Sequence, residues 1–305
     1  MRSIEGVVPI VHTPFDDQGQ IDWESFQRQV DWAVERGIQG CAIGMVSEVL
    51  RLTATERQQL TEQLVSAVSG RVVTIASAGA ESTEQAIEYA SHAEQAGCDA
   101  VMAIPPISTA LPDGEVLNYF RQIAGAVEIP VIVQDASSYV GQPIDLSVYT
   151  RLIDEFGVER IYFKPESSPL GPNLSRLRDA TEGQARVFEG SGGISLVDSY
   201  HRGIRGTMPG MEFLEGIVAI WKALEQGDES AAYSVYLPVC ALVALQLQAG
   251  LDGFLAIEKY VLNKRGLFAT EHRRGPIAWR LDDETRAEVD RLLSLLETAL
   301  EGLAG

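Results

Sequence analysis

The chain has 305 residues, a formal net charge of −19 and a hydrophobic content of 46%. This is enough apolar material for one large domain or two ordinary ones, and the acidity excludes a nucleic-acid binder, whose footprint is basic. No uninterrupted apolar stretch approaches the ~18 residues of a membrane span, so no membrane partner is expected. The opening Met-Arg-Ser-Ile-Glu-Gly has no apolar core of a signal peptide. Cys41, Cys98 and Cys240 are odd in number and far apart, which suits a reducing cytoplasm and neither a disulfide framework nor a zinc site.

In chain order, short apolar runs alternate with amphipathic stretches. Residues 6–11 read as a first strand running into His12-Thr13-Pro14-Phe15. Trp23, Phe26, Val30 and Ala33 recur at three- and four-residue intervals, which predicts a helix stopping at Gly37. A second strand at 40–43 is followed by Thr53-Ala-Thr-Glu56, a capping box that opens a helix reaching Gly70. The third strand is 72–76, and Ser82 to Gln85 caps the helix that ends at Gly97. The fourth, 99–103, is closed by Pro105-Pro106, and a helix over 114–126 leads to the fifth at 131–133. After a helix over 146–156 comes 161–163, too brief for a helix and bounded by Pro165, hence a sixth buried strand. Residues 186–188 and 206–208 are the seventh and eighth, with short helices over 174–180 and 196–200 and a longer one over 213–224.

Eight βα units of roughly 25–30 residues, with continuous apolar strands, fit a parallel sheet covered on both faces, and eight is the number that closes into a (β/α)8 TIM barrel. A doubly wound open sheet is the alternative, but no GxGxxG follows the first strand. The expectation is an α/β chain with a catalytic barrel over residues 1–226 and a C-terminal helical domain over 227–305.

Barrel chemistry sits where strands end. Those ends carry Thr13, Ser47-Glu48, Pro105-Pro106, Gln134-Asp135, Lys164 with Glu166, and Gly190-Ser191-Gly192-Gly193. Only four of the 24 basic residues are lysine, so a solvated cation at position 164 would by this chain's habit be arginine. A lysine at a buried strand end can become a neutral amine and attack a carbonyl to form a Schiff base. The alternative is an ordinary ion pair between Lys164 and Glu166. No His, Asp or Glu cluster stands at metal-ligand spacing, so neither metal nor cofactor is expected. His12 falls near a strand end, where a structural histidine is commoner than a catalytic one.

These residues resemble a known family. Thr13-Pro-Phe15, Gly44-Met-Val-Ser-Glu48 with Leu52-Thr-Ala-Thr-Glu-Arg57, Val101-Met-Ala-Ile-Pro-Pro106, Phe163-Lys164, Gly206-Thr-Met208 and the C-terminal helix holding Lys259 are similar in order and spacing to the dihydrodipicolinate synthase / N-acetylneuraminate lyase superfamily. The resemblance implies class I Schiff-base lyases on a (β/α)8 barrel, a homo-oligomer (tetramer or dimer), a small-molecule 2-keto acid as substrate, and Lys164 as the imine-forming lysine. This chain departs from the family where Gly-Thr-Thr-Gly-Glu becomes Gly44-Met45-Val46-Ser47-Glu48, and where Tyr-Asn at the fifth strand becomes Gln134-Asp135. An arginine of the synthases is replaced by Tyr139, and Ile107-Ser108 replaces an aromatic. Residues 129–136 and Tyr162-Phe-Lys-x-Glu166 resemble a narrower branch, the 2-keto-3-deoxy-pentonate (L-2-keto-3-deoxyarabonate) dehydratases.

An imine on Lys164 is an electron sink for a carbanion at the next carbon, leading either to loss of water across C3–C4 or to retro-aldol cleavage that releases pyruvate. With the family's strand-five phenol missing, Glu166 is the candidate to take the C3 proton and return it to a leaving hydroxyl, or else it is merely the charge partner of Lys164. Backbone N–H groups of Val46 and Ser47, with the Ser47 hydroxyl, are expected to hold the substrate carboxylate. Gln134 and Asp135 are expected on the sugar hydroxyls. Gly190 allows close backbone approach to the imine, and Ser191 is a further binding candidate. A barrel that has lost catalysis and only binds a keto acid is the reading from another class.

Overall fold

The computed structural model describes residues 2–304. Its eight strands are β1 (Gly6–Val7), β2 (Gly40–Ala42), β3 (Val73–Ser77), β4 (Ala100–Ala103), β5 (Val131–Asp135), β6 (Ile161–Pro165), β7 (Arg186–Glu189) and β8 (Gly206–Thr207). All pair in parallel, in the order β1-β8-β7-β6-β5-β4-β3-β2. The two ends of that order meet through a parallel bridge between Ile10 and Ala42, with Val11 N–H donating to the Ala42 carbonyl at 2.8 Å. The sheet is a (β/α)8 TIM barrel, as the strand count predicts. β1 is shorter than the apolar run suggests because Pro9 has no N–H to donate to a ladder.

Between the strands lie α1 (Trp23–Glu35), α2 (Ala54–Val68), α3 (Thr83–Ala96), α4 (Asp113–Ala126), α5 (Leu146–Phe156), α6 (Leu170–Ala180), α7 (Leu196–His201) and α8 (Leu214–Glu225). Their starts follow local chemistry. Thr53 and Glu56 form the reciprocal capping box at α2, and Ser82 accepts the Gln85 N–H at α3. Gly97, at φ 94°, closes α3 in a left-handed conformation that suits glycine. After α8 come α9 (Glu229–Gln246), α10 (Gly250–Lys264) and α11 (Asp283–Ala304).

Two strands run past their expected ends. β5 includes Gln134 and Asp135, and β6 includes Lys164 and Pro165. Pro165 does not stop β6 because Glu166 N–H bonds across to the Asp135 carbonyl at 2.8 Å. The proline's missing N–H therefore falls on the β7 side, where pairing has ended at Phe163 and Val187.

Successive strand residues face opposite ways, and this sorts the core into two zones. Ile132, Tyr162, Phe188, Ile75, Met102 and Met208 fill the barrel interior. Val131, Val133, Ile161, Phe163 and Val187 pack outward against the helices. Counting by two from the interior set, Ile132 leads to Gln134, Tyr162 to Lys164, and Phe188 to Gly190. Gln134 and Lys164 are Cα partners across β5 and β6.

Counted as one stretch, Glu229–Lys264 is 36 residues long and holds an 18-residue window of mean hydropathy 1.6, long and apolar enough to cross a membrane. Half of its apolar window is buried within the fold, where Val235, Val239, Leu242 and Val243 of α9 join the core shared with Ile217 of α8 and Leu296 of α11.

Candidate active site

At the C-terminal mouth of the barrel lies a cavity of about 460 Å³, its opening included, lined by Lys164, Glu166, Gln134, Gly190, Tyr139 and Glu258 among others. Lys164 is 4% exposed and its Nζ is 3.2 Å from Glu166 Oε1. The second oxygen of Glu166 accepts the Gln134 amide at 2.6 Å. Burial raises the Glu166 carboxyl above its ordinary range, against the pull of Lys164 and Gln134, and Glu189 adds to the rise. A side chain at Gly190 would put its first carbon 2.6 Å from Glu166 Oε1 and against Lys164 Cε, so only glycine leaves both groups in place.

Lys164, Glu166, Gln134, Gly190 and Val46 converge on the chamber; Ser47, Asp135 and Ser191 do not. Ser47 is fully buried behind its loop, where its hydroxyl donates to the Val11 carbonyl and accepts the Gly44 N–H. Its own N–H bonds to the Gly44 carbonyl at 3.0 Å. Ser47 therefore has nothing to offer a carboxylate. In the 3-10 turn Met45–Ser47 the first two N–H groups, of Met45 and Val46, have no acceptor within the turn.

Asp135 alternates outward from Gln134 and is spent on local structure, accepting Ser137 N–H at 3.0 Å and Ile144 N–H at 2.9 Å. Ser191 donates to Glu189 Oε1 and accepts the Ser195 N–H at 3.0 Å. Its hydroxyl closes a turn.

Other residues at or beside the chamber are absent from the expected set. Tyr139, in the loop after β5, sets its ring edge-on to Phe254 with centroids 5.6 Å apart. Burial first, then the neighbouring carboxyls of Glu166, Glu189 and Glu258, hold its phenol well above the ordinary tyrosine range, so it stays protonated. A phenol is thus present at the mouth, though not on the strand where the resemblance would place it. Glu189 is fully buried at the end of β7, accepting the Thr207 hydroxyl at 2.7 Å and the Ser191 N–H at 2.6 Å. Leu251, Phe254 and Glu258, three and four residues apart on α10, present one helix face to the cavity. That spacing was the available clue.

Behind Glu258 the ligand atoms of His12, Glu212 and Glu258 lie within 4.8 Å of one another. Spacing along the chain could not show this grouping, because Glu212 and Glu258 stand 200 and 246 residues beyond His12; the expectation that no such cluster exists is corrected. His12 Nε2 accepts the Met211 N–H at 3.2 Å, which places the ring proton on Nδ1, 3.2 Å from the Val46 carbonyl. Alongside, Lys259 Nζ is 3.0 Å from Glu48 Oε1 and donates to the Thr13 carbonyl. Glu48 Oε2 accepts the Arg274 N–H at 2.8 Å, so Glu48 holds the C-terminal segment to the loop after β2.

The model of the Dihydrodipicolinate synthetase family matches residues 3–296, and the chain belongs to that family. It is accordingly an enzyme of the lyase class, of hydro-lyase or aldolase type. The chain is 31% identical over 293 residues to L-2-keto-3-deoxyarabonate dehydratase from Azospirillum brasilense, covering 93% of this chain and 92% of that protein. It is 37% identical over 189 residues to 4-hydroxy-tetrahydrodipicolinate synthase from Bartonella quintana, covering 61% of this chain and 58% of that protein. The crystal structure of a prophage protein of the dihydrodipicolinic acid synthase family from E. coli K12, in complex with pyruvate, superposes with a TM-score of 0.88 at 23% identity. That match covers 97% of this chain and 99% of the other.

Proposed function

We propose that this enzyme joins a 2-keto-3-deoxy sugar acid to the Lys164 amine and eliminates water from it, giving a 2-oxo acid semialdehyde. The observation that carries this reading is the buried pair Lys164–Glu166, 3.2 Å apart, at the floor of the chamber beneath Gly190. The keto oxygen leaves as water and the C2–N bond becomes a protonated imine, which acidifies the C3 hydrogens. Glu166 sits beside that nitrogen and takes the C3 proton; its burial-raised carboxyl is brought nearer working pH, where a general base is most effective. The C3–H electrons form an enamine, which expels the C4 oxygen as C3=C4 forms; a proton lost from C5 and one gained at C3 then turn the C5 alcohol into the aldehyde of the product. Gln134 holds Glu166 in register, and the N–H groups of Met45 and Val46 are assigned to the substrate carboxylate. Similarity across 93% of the chain to a keto-deoxy acid dehydratase supports elimination over carbon–carbon cleavage.

Borohydride added with pyruvate should leave a reduced pyruvyl group on the peptide holding Lys164, and none in Lys164→Ala. A 2-keto-3-deoxy-pentonate should then lose water with no pyruvate appearing in a lactate-dehydrogenase-coupled assay. Pyruvate release at the rate of substrate loss would assign the retro-aldol reaction instead. Self-association, as a tetramer or dimer, belongs to the same reading: Tyr233, Leu237 and Leu247 stand exposed along α9 and its end. Light scattering at micromolar concentration should give a multiple of 33.2 kDa, and a monomer mass would reject it.

A further inference from the structure

We infer that Glu258, on the chamber wall formed by α10, is the acid that protonates the departing C4 hydroxyl. The inference rests on the dehydratase reading and supplies a step it leaves open, since hydroxide is a poor leaving group unless it departs as water.

Glu258 shares the cavity with Lys164 and Glu166 but comes from a different wall. It is 1% exposed, and its Oε2 has no hydrogen-bond partner. Among the described residues no lysine or arginine nitrogen reaches it. Lys259, the next residue, is engaged with Glu48 and the Thr13 carbonyl. His12 Nδ1 lies 3.4 Å away, on a ring whose Nε2 accepts the Met211 N–H. Glu212 lies beyond His12, 3.7 Å from Nε2, and accepts the Gln246 amide at 2.8 Å. A carboxyl with two carboxylates near it and no cation of its own keeps its proton. Burial first, then Glu212 and Glu48, raise Glu258 well above the ordinary range against the pull of Lys259. The chamber thus holds a carboxylate beside the imine nitrogen and a neutral carboxylic acid on another wall, two carboxyls given different tasks by their surroundings.

The step balances. Glu166 gains the C3 proton, the C3–H pair forms the enamine, the C4–O bond breaks as C3=C4 forms, and the oxygen leaves as water with the Glu258 proton. Glu258 becomes a carboxylate facing the His12 Nδ1–H. Solvent returns the proton to it and removes one from Glu166 when water hydrolyses the imine.

The test replaces the leaving group. Glu258→Gln keeps size and fold and should still be trapped on Lys164 by borohydride and pyruvate. It should also still exchange the pyruvate methyl protons with deuterium oxide through Glu166. On the 4-hydroxy acid it should lose on the order of 10²–10⁴ in turnover. On the analogue with fluoride at C4, which departs without a proton, it should stay within a few-fold of wild type. Equal loss on both substrates, or loss of trapping, would make Glu258 a structural group and overturn the inference. So would undiminished turnover of the hydroxy acid. Stoichiometric metal in the purified protein, with its removal abolishing turnover, would assign the His12–Glu212–Glu258 cluster to a cation instead. If wild type eliminates neither water nor fluoride, the dehydratase reading fails first and this inference falls with it.

Discussion

Glu166 is the residue whose environment most directly predicts a measurable profile. Its carboxyl is raised by burial, so the base form fills only as pH climbs through that raised value. The kcat/KM for dehydration should therefore rise with pH there, later than an unperturbed glutamate near 4.5 would allow. Glu166→Gln should abolish that limb and cost on the order of 10²–10⁴ in turnover while imine trapping survives. Undiminished turnover would remove Glu166 from the mechanism; loss of trapping as well would leave it only as the group that holds Lys164. At this scale the sequence was most informative where side-chain direction follows from strand period. Lys164, Gln134 and Gly190 lie two residues beyond the interior residues Tyr162, Ile132 and Phe188. Ser47 and Ser191 lie outside the chamber lining because a hydroxyl's partner is set by the fold of its loop: Ser47 donates to the Val11 carbonyl and Ser191 to Glu189. Asp135 lies outside it because β5 continues through that position and turns its carboxyl toward the Ile144 N–H.

Helix starts and strand identities were legible because capping and periodicity are local. The Thr53–Glu56 box opens α2 where it was expected. Its further use was not legible: the same Glu56 receives both terminal nitrogens of Arg274, at 3.0 and 2.9 Å, from 218 residues away. Those hydrogen bonds, then the Thr53 N–H and hydroxyl, hold the Glu56 carboxyl down at about 2 despite some burial. A depressed carboxyl contributes stability that is present above its unfolded value of 4.5 and is lost as pH falls toward about 2. Urea midpoints taken down that window should fall for wild type and fall less for Glu56→Gln; equal slopes would show that Arg274 gives no net stabilisation. Thr53→Ala, which removes the cap and the hydroxyl's bond to Glu56, should cost about 1 kcal/mol and shed a small part of that pH dependence.

For the molecule as a whole, eight apolar runs were sufficient to name the barrel, but not the lid over its mouth. Leu251, Phe254 and Glu258 reach the chamber from almost a hundred residues beyond Lys164, a distance no local pattern bridges. The Lys259–Glu48 pair and Arg274 then fasten those helices to the loop after β2. The chain's economy with lysine has a practical side. Lys164 and Lys259 are 4% and 1% exposed, while Lys222 and Lys264 stand in solvent. An activated resin meets the outer two, on α8 and α10, and as a solid surface does not enter the chamber. The protein can therefore be immobilised through its surface lysines with its reactive amine still free to condense with a keto acid passed over the support.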